Sequence, residues 1–386
     1  MNDSQARTDD SLQRRVPLAE LALVFLKLGT IAFGGPAAHI AMMEDEFVRR
    51  RGWISQSEFL DRIAAASLIP GPSSTEVAIF IGQNKRGWLG LVVGGCCFII
   101  PAAILVSLIA AVYVRFGSLP QVSGILYGIK PAVIAIILQA LWKLSRTALK
   151  TRLLVLIGSI AIALYAFGLP PLAVLAIAGI ASGFSAWWKT REAVTPAIVP
   201  FARLAIPSAA AAAIPVSLLW LFLSFLKIGA VVFGSGYVLL AFLRTEFVDH
   251  LHWLTEKQLI DAVAVGQFTP GPVFTTATFI GYIVAGIPGA ILATIGIFLP
   301  GFVLVAWSGP LIPKLRRSPL AAAVLDGVVV GSLALMAVVT WQLGRAAIVD
   351  WPTLAILLAS AALVFRFRLN SAWIIAGAGL CGWILR

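Results

Sequence analysis

Charged side chains are scarce in this sequence, since Asp, Glu, Lys and Arg together make up only 12% of its 386 residues. Soluble proteins carry about 25%, whereas 60% of this chain is hydrophobic. A soluble fold of this size could not bury so much apolar surface. The composition argues against a cytosolic enzyme and a nucleic-acid-binding protein despite the net charge of +12, because membrane proteins collect Lys and Arg in their cytoplasmic loops.

Side chains that bind metals and cofactors are also few. The 3 cysteines and 3 histidines form neither a disulfide framework nor a zinc-site spacing. GAGLCG at 377–382 lies in an apolar run with no strand before it, so it is not a dinucleotide site. No Walker motif is present. We therefore expect no cofactor, no bound metal, no ATP hydrolysis and no enzymatic activity.

Long apolar runs follow a polar N-terminal tail at 1–17, which lacks the features of a secretory signal. Most of them approach or exceed the roughly 20 residues that cross a bilayer. The runs lie at about 18–43, 87–115, 120–142, 151–169, 171–188, 215–243, 287–312, 320–343, 350–365 and 370–385. They predict an all-α polytopic membrane protein with about ten membrane crossings.

The chain is an internal duplication. FLKLGTIAFGGP at 25–36 returns as FLKIGAVVFGSG at 225–236, and the segments 25–72 and 225–272 share 16 identities in 48 positions. Chance would give about three. We predict a first repeat over 18–188, a linker over 189–214 and a second repeat over 215–386.

Each half also contains a shorter apolar element that is interrupted by Pro-Gly-Pro, at 70–72 and 270–272. A helix cannot continue through this tripeptide, so the element is either a broken span or a re-entrant hairpin. If it re-enters, each half crosses five times and the flanking Lys and Arg divide 18 to 8 between the two faces; if it spans, they divide 14 to 12. Because a Lys/Arg bias sets orientation, we predict ten crossings and an inverted repeat, as in many secondary transporters.

The helix breaks indicate a binding site. Each half breaks at FGGP or FGSG and again at Pro-Gly-Pro, and irregular backbone at membrane depth survives only when it is buried or lines a cavity. Tight packing at helix kinks remains an alternative, but four matched breaks favour a site near the bilayer midplane at the repeat interface. The backbone residues of this predicted site are Gly34, Gly35, Pro36, Pro70, Gly71, Pro72, Gly234, Pro270, Gly271 and Pro272.

Hydroxyl side chains lie directly after each Pro-Gly-Pro, where a helix restarts. They are Ser73, Ser74 and Thr75 in the first half, and Thr275 and Thr276 in the second. The first turn of a helix has free N–H groups and the positive end of the dipole, which together make an anion site. The same hydroxyls also suit ordinary N-caps, and the two roles are compatible.

Two matched lysines, Lys27 and Lys227, lie about nine to twelve residues into their spans, so roughly 14 Å or more from the membrane face. An intramembrane charge is by default a functional hypothesis, and snorkelling or structural pairing is the alternative. Both precede the matched Gly34 and Gly234 by seven residues. We include both lysines among the predicted substrate-binding residues.

Three carboxylates are candidates for carrying coupling protons. Asp61 and Asp261 are matched and each precedes its Pro-Gly-Pro by nine residues, a position that also suits a helix-end charge. Glu76 lies one turn after the first Pro-Gly-Pro and has Thr276 opposite in the second half.

FLKLGTIAFGGP, the EFV and Trp that follow it and the Pro-Gly-Pro together resemble the chromate ion transporter family in its two-domain fused form, over nearly the whole chain. The resemblance implies a multi-pass protein of the plasma membrane (the bacterial inner membrane) that exports chromate and confers chromate resistance, driven by protons or the membrane potential. Half-length family members occur as oppositely oriented pairs, which agrees with the inversion. FGSG at 233–236 departs from the family's FGGP, so the second break binds less tightly or is structural.

The residues alone favour an anion transporter, and chromate comes only from the resemblance. A sulfate or other oxyanion carrier is the main alternative, because both ions are tetrahedral dianions of similar size. A membrane-embedded enzyme is less favoured, since no nucleophile–base pair or His/Cys cluster is present. The expected partners are chromate with sulfate as the alternative, protons, the lipid bilayer and, as an open option, a second copy of the chain in a homodimer.

Overall fold

The computed structural model describes residues 16–33, 35–116, 120–190, 216–233, 238–308, 318–367 and 369–386. Every regular element in these ranges is helical, as the sequence predicts. Most of the predicted tail and linker, together with Gly34 and Gly234, lie outside the described residues.

The two halves have the same order of helices. The described helices of the first half are α1 Leu18–Ile31, α2 Gly35–Glu44, α3 Gln56–Ala66, α4 Ser73–Phe116, α5 Pro120–Ala148, α6 Arg152–Ala166 and α7 Pro171–Thr190. Those of the second half are α8 Leu218–Val231, α9 Leu239–Leu243, α10 Glu256–Phe268, α11 Thr276–Ser308, α12 Pro319–Ala347, α13 Trp351–Arg366 and α14 Ser371–Leu385. A π-helical turn follows α2 (Asp45–Arg50) and α9 (Arg244–His250), and a 3₁₀ turn (Val273–Thr275) precedes α11.

Several of these helices are suited to a membrane. Five described segments are long and apolar enough to cross one, namely 73–116, 123–148, 171–188, 273–308 and 319–347. Shorter apolar helices lie at 152–166, 218–231, 351–367 and 371–385. Length and composition thus agree with a polytopic membrane protein, while the count of ten crossings stays a prediction.

The same local chemistry begins α3 and α10, the helices that lead into the two Pro-Gly-Pro breaks. Ser55 and Glu58 form a capping box, in which each side chain accepts the backbone N–H of the other at 3.1–3.2 Å. Thr255 and Gln258 form the matched box at 2.9–3.2 Å. Such boxes satisfy two N–H groups that the first turn of a helix leaves unbonded, so both halves fix the start of this element in the same way.

α4 is a hairpin of two helical limbs rather than one straight rod. The backbone leaves the helical region at Arg86 and Gly87, where φ of Gly87 is 57°. The limbs then fold together so closely that a side chain on Gly82 would overlap the carbonyl of Gly90. A matched reversal lies at 285–286 in α11. Small residues permit this approach of two backbones, so the limb after each Pro-Gly-Pro is held against the following span.

The matched helices α5 and α12 pack antiparallel. At one end, Lys150, two residues after the end of α5, pairs with Asp326 in the first half of α12 at 2.9 Å. Towards the other end, Gly344 of α12 lies against the side chain of Ile134 in α5. Equivalent helices of a duplicated protein run in opposite directions through one membrane only if the halves are inverted. The structure therefore confirms the predicted inverted repeat.

The halves also exchange their last helices. α14 packs on α5, where Gly128 allows the backbone of Ala378 to approach, and α7 packs on α12, where Gly327 allows the same approach by Ala178. A side chain at either glycine would overlap the facing carbonyl. Each half thus contributes a helix that packs on the other, and these contacts form part of the repeat interface.

Candidate functional site

The breaks of the two halves meet in crossed pairs. The backbone N–H of Gly71 donates to the carbonyl of Val232 at 2.7 Å, and the N–H of Gly271 donates to the carbonyl of Ala32 at 2.9 Å. Ala32 and Val232 are the residues that directly follow α1 and α8. Each Pro-Gly-Pro is thus held against the helix end of the opposite half. We call these four residues the crossover.

Both crossover glycines need to be glycine. Gly71 has φ of 138° and Gly271 has φ of 89°, a region that side chains with a Cβ rarely adopt. Gly271 is also wedged into the first half, because a Cβ there would lie 2.6 Å from the Cβ of Ala102 and 3.2 Å from the carbonyl oxygen of Gly29. The crossover therefore depends on close backbone contact between the halves.

The other predicted backbone residues lie next to the crossover. Gly35 and Pro36 begin α2 just after the end of α1. The prolines that flank the crossover glycines are Pro70, Pro72, Pro270 and Pro272. Gly34 and Gly234 lie outside the described residues, so their part in the predicted site stays a prediction.

His39, in α2, connects the first-half break to the helix that follows Pro-Gly-Pro. Its side chain is 1% exposed. Nε2 lies 3.0 Å from the carbonyl oxygen of Ala32, and Nδ1 lies 3.2 Å from Oγ of Ser74. The ring also packs edge-on against Phe98, with centroids 5.7 Å apart. The carbonyl oxygen of Ala32 therefore accepts two hydrogen bonds, one from Nε2 of His39 and one from the backbone N–H of Gly271.

A group of buried polar side chains starts α4 beside this network. Ser74, Thr75 and Glu76 are all buried. Within the part of the chain that the structure describes, Thr75 Oγ1 and both carboxylate oxygens of Glu76 have no hydrogen-bond partner. Glu76 lies directly against the break, because a side chain on Gly71 would overlap its Oε1. An ionised carboxylate buried without donors costs several kcal/mol, so this position suits a proton or a cation.

The first turn of α4 has fewer free donors than an isolated helix end. Thr75 and Glu76 donate their backbone N–H groups to the carbonyl of Pro72, at 2.7 and 3.1 Å. The backbone N–H of Ser74 has no partner among the described hydrogen bonds. Ser73, which begins α4, lies one residue closer to the break. The backbone N–H of Ser74 is therefore available at this helix end, while contact of Ser73, Ser74 and Thr75 with an anion stays a prediction.

At the matched helix end of the second half, the hydroxyls form hydrogen bonds within their own turn. The hydroxyls of Thr275 and Thr276 donate to the carbonyls of Pro272 and Val273, each at 2.8 Å. At the position that matches His39 the second half has Leu239, which is also buried. Among the residues that the structure describes at these two helix ends, the unbonded polar side-chain atoms lie in the first half, so the two ends differ chemically. Contact of Thr275 and Thr276 with substrate stays a prediction.

The structure does not bring the two predicted lysines to the crossover. Lys27 and Lys227 lie on exposed faces of α1 and α8, whereas the crossover residues are buried. Lys227 pairs with Glu246, which also accepts a hydrogen bond from Ser224 at 2.9 Å. The matched Glu46 pairs with Arg51 at 2.7 Å. The pairing of Lys227 agrees with the structural role that the sequence left open, and substrate contact by either lysine stays a prediction.

The matched aspartates have opposite environments. Asp261 is fully buried, lies 3.2 Å from Nζ of Lys130, and accepts a hydrogen bond from the hydroxyl of Tyr113 at 2.9 Å. Lys130 and Tyr113 belong to the first half, so this buried contact joins the two repeats. Asp61 is exposed on α3. Of the three predicted proton carriers, Glu76 alone lies against the crossover.

His39 is the site residue that sequence reasoning missed. It belongs to none of the motifs, and matching the repeats hides it because Leu239 stands opposite. The signal that could have found it is the difference between the halves: a polar residue near one break and an apolar one near the other. Among the described residues, no group of His, Cys, Asp and Glu is arranged to hold a metal ion.

The comparisons with known proteins agree with this architecture. The model of the chromate transporter family matches the chain twice, over residues 19–183 and 219–383. The chain belongs to the chromate transporter family. It is 35% identical over 373 residues to a chromate transport protein of Cupriavidus metallidurans, covering 95% of this chain and 92% of that protein. No solved structure matches the chain.

Other relatives are similar over comparable lengths. A chromate transport protein of Pseudomonas aeruginosa is 30% identical over 409 residues, covering 98% of this chain and 95% of that protein. An uncharacterized transporter of Methanocaldococcus jannaschii is 29% identical over 373 residues, covering 93% and 92%. This chromate transporter family member is thus a multi-pass membrane protein of a transporter family, which is not a family of enzymes.

Proposed function

We propose that this chain is a secondary transporter that exports chromate across the plasma membrane and so confers chromate resistance. Its family and the names of two relatives, both chromate transport proteins, support chromate as the substrate. The bacterial inner membrane is the proposed location, in keeping with the apolar helices.

The observation that carries the mechanism is the crossover. A dianion at the start of α4 meets the backbone N–H and hydroxyl of Ser74 and the positive end of the helix, an interaction worth roughly 0.3–2 kcal/mol per charge. The site lies beside Gly71 and between the two repeats, and its surroundings are buried. Low polarity around these donors strengthens their interaction with an anion.

Glu76 is the proposed site for a coupling proton. An ionised carboxylate beside the start of α4 repels a dianion, whereas a protonated one does not. Its burial and its lack of a described hydrogen-bond partner support this role. Asp261 is engaged by Lys130, and Asp61 is exposed, so both are less suited to it.

The membrane potential favours export. A dianion that leaves with one proton carries one net negative charge out of a negatively charged interior. That movement is worth about 2.3 kcal/mol per 100 mV. The proposed transport therefore needs no nucleotide hydrolysis.

The unequal environments of α3 and α10 support a mechanism of alternating access. α10 contacts α5, α12 and α14 and is largely buried, whereas α3 leaves Leu60 and Asp61 exposed. In an inverted repeat, matched elements in unequal environments correspond to access from one face only. We propose that the contact of Lys130 with Asp261 closes one access route and breaks when the halves exchange roles.

Uptake of radiolabelled chromate into energised everted membrane vesicles tests the proposal. Vesicles that contain the chain should accumulate chromate above a vector control, and Ser74→Asp should abolish the difference without loss of protein. Excess sulfate measures selectivity, because sulfate has the same shape and charge. Strong competition would favour a general oxyanion carrier, and no accumulation above the control would contradict transport of chromate.

A further inference from the structure

We propose that His39 is a positioning residue that switches Ser74 between hydrogen-bond acceptor and donor, so that protonation of His39 prepares the site for an oxyanion. The inference rests on the proposed site at Ser74. It concerns a residue that belongs to none of the sequence motifs and that has no counterpart in the second half, where Leu239 stands at the matched position.

The hydrogen bonds of His39 define its tautomer. Nε2 lies 3.0 Å from the carbonyl oxygen of Ala32, and a carbonyl can only accept, so Nε2 carries a hydrogen. In a neutral imidazole the other nitrogen, Nδ1, then has a lone pair and no hydrogen. Nδ1 lies 3.2 Å from Oγ of Ser74. Ser74 must therefore donate its hydroxyl hydrogen to Nδ1 while His39 is neutral.

A neutral His39 thus withholds a donor from the site. With its hydrogen directed at Nδ1, the hydroxyl of Ser74 presents only lone pairs to a ligand, and lone pairs repel an oxyanion. The backbone N–H of Ser74, which has no described partner, is unaffected. The site in this state has the helix end but lacks the hydroxyl donor.

Protonation reverses the hydrogen bond. One proton from solvent adds to Nδ1, which then donates to a lone pair of Ser74 Oγ. The hydroxyl hydrogen is released from that contact and can turn towards the oxyanion, while Nε2 keeps its bond to Ala32. An N–H bond forms as the proton leaves a hydronium ion, no covalent bond of the protein breaks, and the imidazolium adds one positive charge beside the anion. Release of the anion and of the proton restores the neutral arrangement.

Among the residues that the structure describes, few other groups beside Ser74 could produce the same effect. On α4, Glu76 lies two residues beyond Ser74 and is the nearby titratable group; Phe98, also on α4, covers one edge of the ring. From the second half, the backbone N–H of Gly271 reaches the same carbonyl as His39. Glu76 can add to a pH dependence, but it does not hold the hydroxyl of Ser74 in the described structure.

The test measures how much Ser74→Ala weakens chromate transport at different pH values. The quantity is the apparent chromate KM of the variant divided by that of the natural protein, in energised everted vesicles. At alkaline pH the hydroxyl is already withheld, so the ratio should be close to one. At acid pH the hydroxyl serves the anion, and the ratio should rise on the order of tenfold. Chromate's own protonation cancels, because it affects both proteins equally.

His39→Gln is the second variant. Its amide can donate to Ala32 and accept from Ser74, but it cannot gain a proton, so the hydroxyl stays withheld at every pH. In the His39→Gln background, Ser74→Ala should therefore change the apparent chromate KM little at any pH. Two results would overturn the switch. One is a KM ratio for Ser74→Ala that is the same at every pH when residue 39 is His; the other is a ratio that still rises towards acid pH when residue 39 is Gln.

These outcomes are separate from failure of the proposed function. If the natural chain shows no saturable chromate transport, the proposed function is wrong and the switch, which rests on it, falls with it. If the natural chain transports chromate and the ratio does not change with pH, the switch is wrong and the oxyanion site stands.

Discussion

Gly271 donates its backbone N–H to the carbonyl oxygen of Ala32 at 2.9 Å, across the interface between the two repeats. The same oxygen accepts from Nε2 of His39, whose other nitrogen contacts Ser74. One atom therefore connects the second-half break, the end of α1 and the start of α4. Any movement of one half against the other changes the surroundings of Ser74, which is what a transporter that alternates between two states requires.

Gly271→Ala should lower the stability of the protein by more than the strain of a positive φ alone, because the new Cβ would also collide with the first half. Gly168, in the loop after α6, has φ of 90° against 89° for Gly271, and a Cβ at Gly168 would meet nothing within 4 Å. Gly168→Ala should cost about 1–2 kcal/mol for the left-handed backbone. Gly271→Ala should add about 1–3 kcal/mol for overpacking and abolish transport.

Thermal unfolding in detergent, together with chromate uptake, measures both variants. The matched φ makes Gly168→Ala the control for backbone strain. Equal melting temperatures and equal uptake in the two variants would show that the close contact of Gly271 with the first half is unimportant.

Substitutions at Ser74 should follow a defined order. Ser74→Ala keeps the backbone donor and should retain partial transport, whereas Ser74→Asp places a negative charge where the oxyanion binds and should abolish it. The apparent affinity for chromate should change more than the amount of protein in the membrane. Kinetics of uptake at several chromate concentrations check the order, and comparable activity of the Asp and Ala variants would remove the helix end from the mechanism.

Removing one partner of the buried contact between Lys130 and Asp261 should lower the free energy of unfolding far more than removing one partner of an exposed pair. Their side chains are 14% and 0% exposed, whereas those of Lys150 and Asp326, a pair of the same residue types, are 58% and 40% exposed. Lys130→Ala leaves a buried carboxylate without its cation and should cost about 3–5 kcal/mol. Lys150→Ala should cost about 0–1 kcal/mol.

The double variant Lys130→Met with Asp261→Asn completes this comparison. It leaves no isolated charge, so it should be more stable than Lys130→Ala alone when melting is followed in detergent. If the contact also closes an access route, the double variant should transport with altered kinetics while remaining folded. Similar melting of Lys130→Ala and Lys150→Ala would contradict the importance of the buried pair.

The duplication and the helix breaks could be predicted from the sequence because both depend on local patterns. Repeated motifs reveal the duplication, and Pro-Gly-Pro cannot continue a helix. The partners of each break could not be predicted, because the bonds of Gly71 with Val232 and of Gly271 with Ala32 join residues far apart in the chain. Only the folded chain brings these residues together.

The site residues show where sequence reasoning reached its limit. Depth in an apolar run singled out Lys227, yet its helix turns this side chain to an exposed face, where it pairs with Glu246. His39 was overlooked, although it lies within hydrogen-bond distance of Ser74. Position along a span gives depth, but the direction of a side chain depends on how the helices pack.

The inverted repeat predicts that matched surface positions face opposite sides of the membrane. Arg50 and His250 end the two matched π-helical turns and are both exposed. In a background that lacks the natural cysteines, Arg50→Cys and His250→Cys should react with a membrane-impermeant thiol reagent from opposite sides of intact and everted vesicles. Labelling of both from the same side would contradict the inversion.

The most direct measurement of the central claim is the position of bound chromate. Chromium scatters X-rays anomalously, so crystals of the protein grown with chromate can locate the ion without assumptions about its ligands. The account predicts an anomalous peak at the start of α4, within hydrogen-bond distance of Ser74 and beside Gly71. A peak at Lys27, Lys227 or Lys130, with none at the crossover, would contradict it.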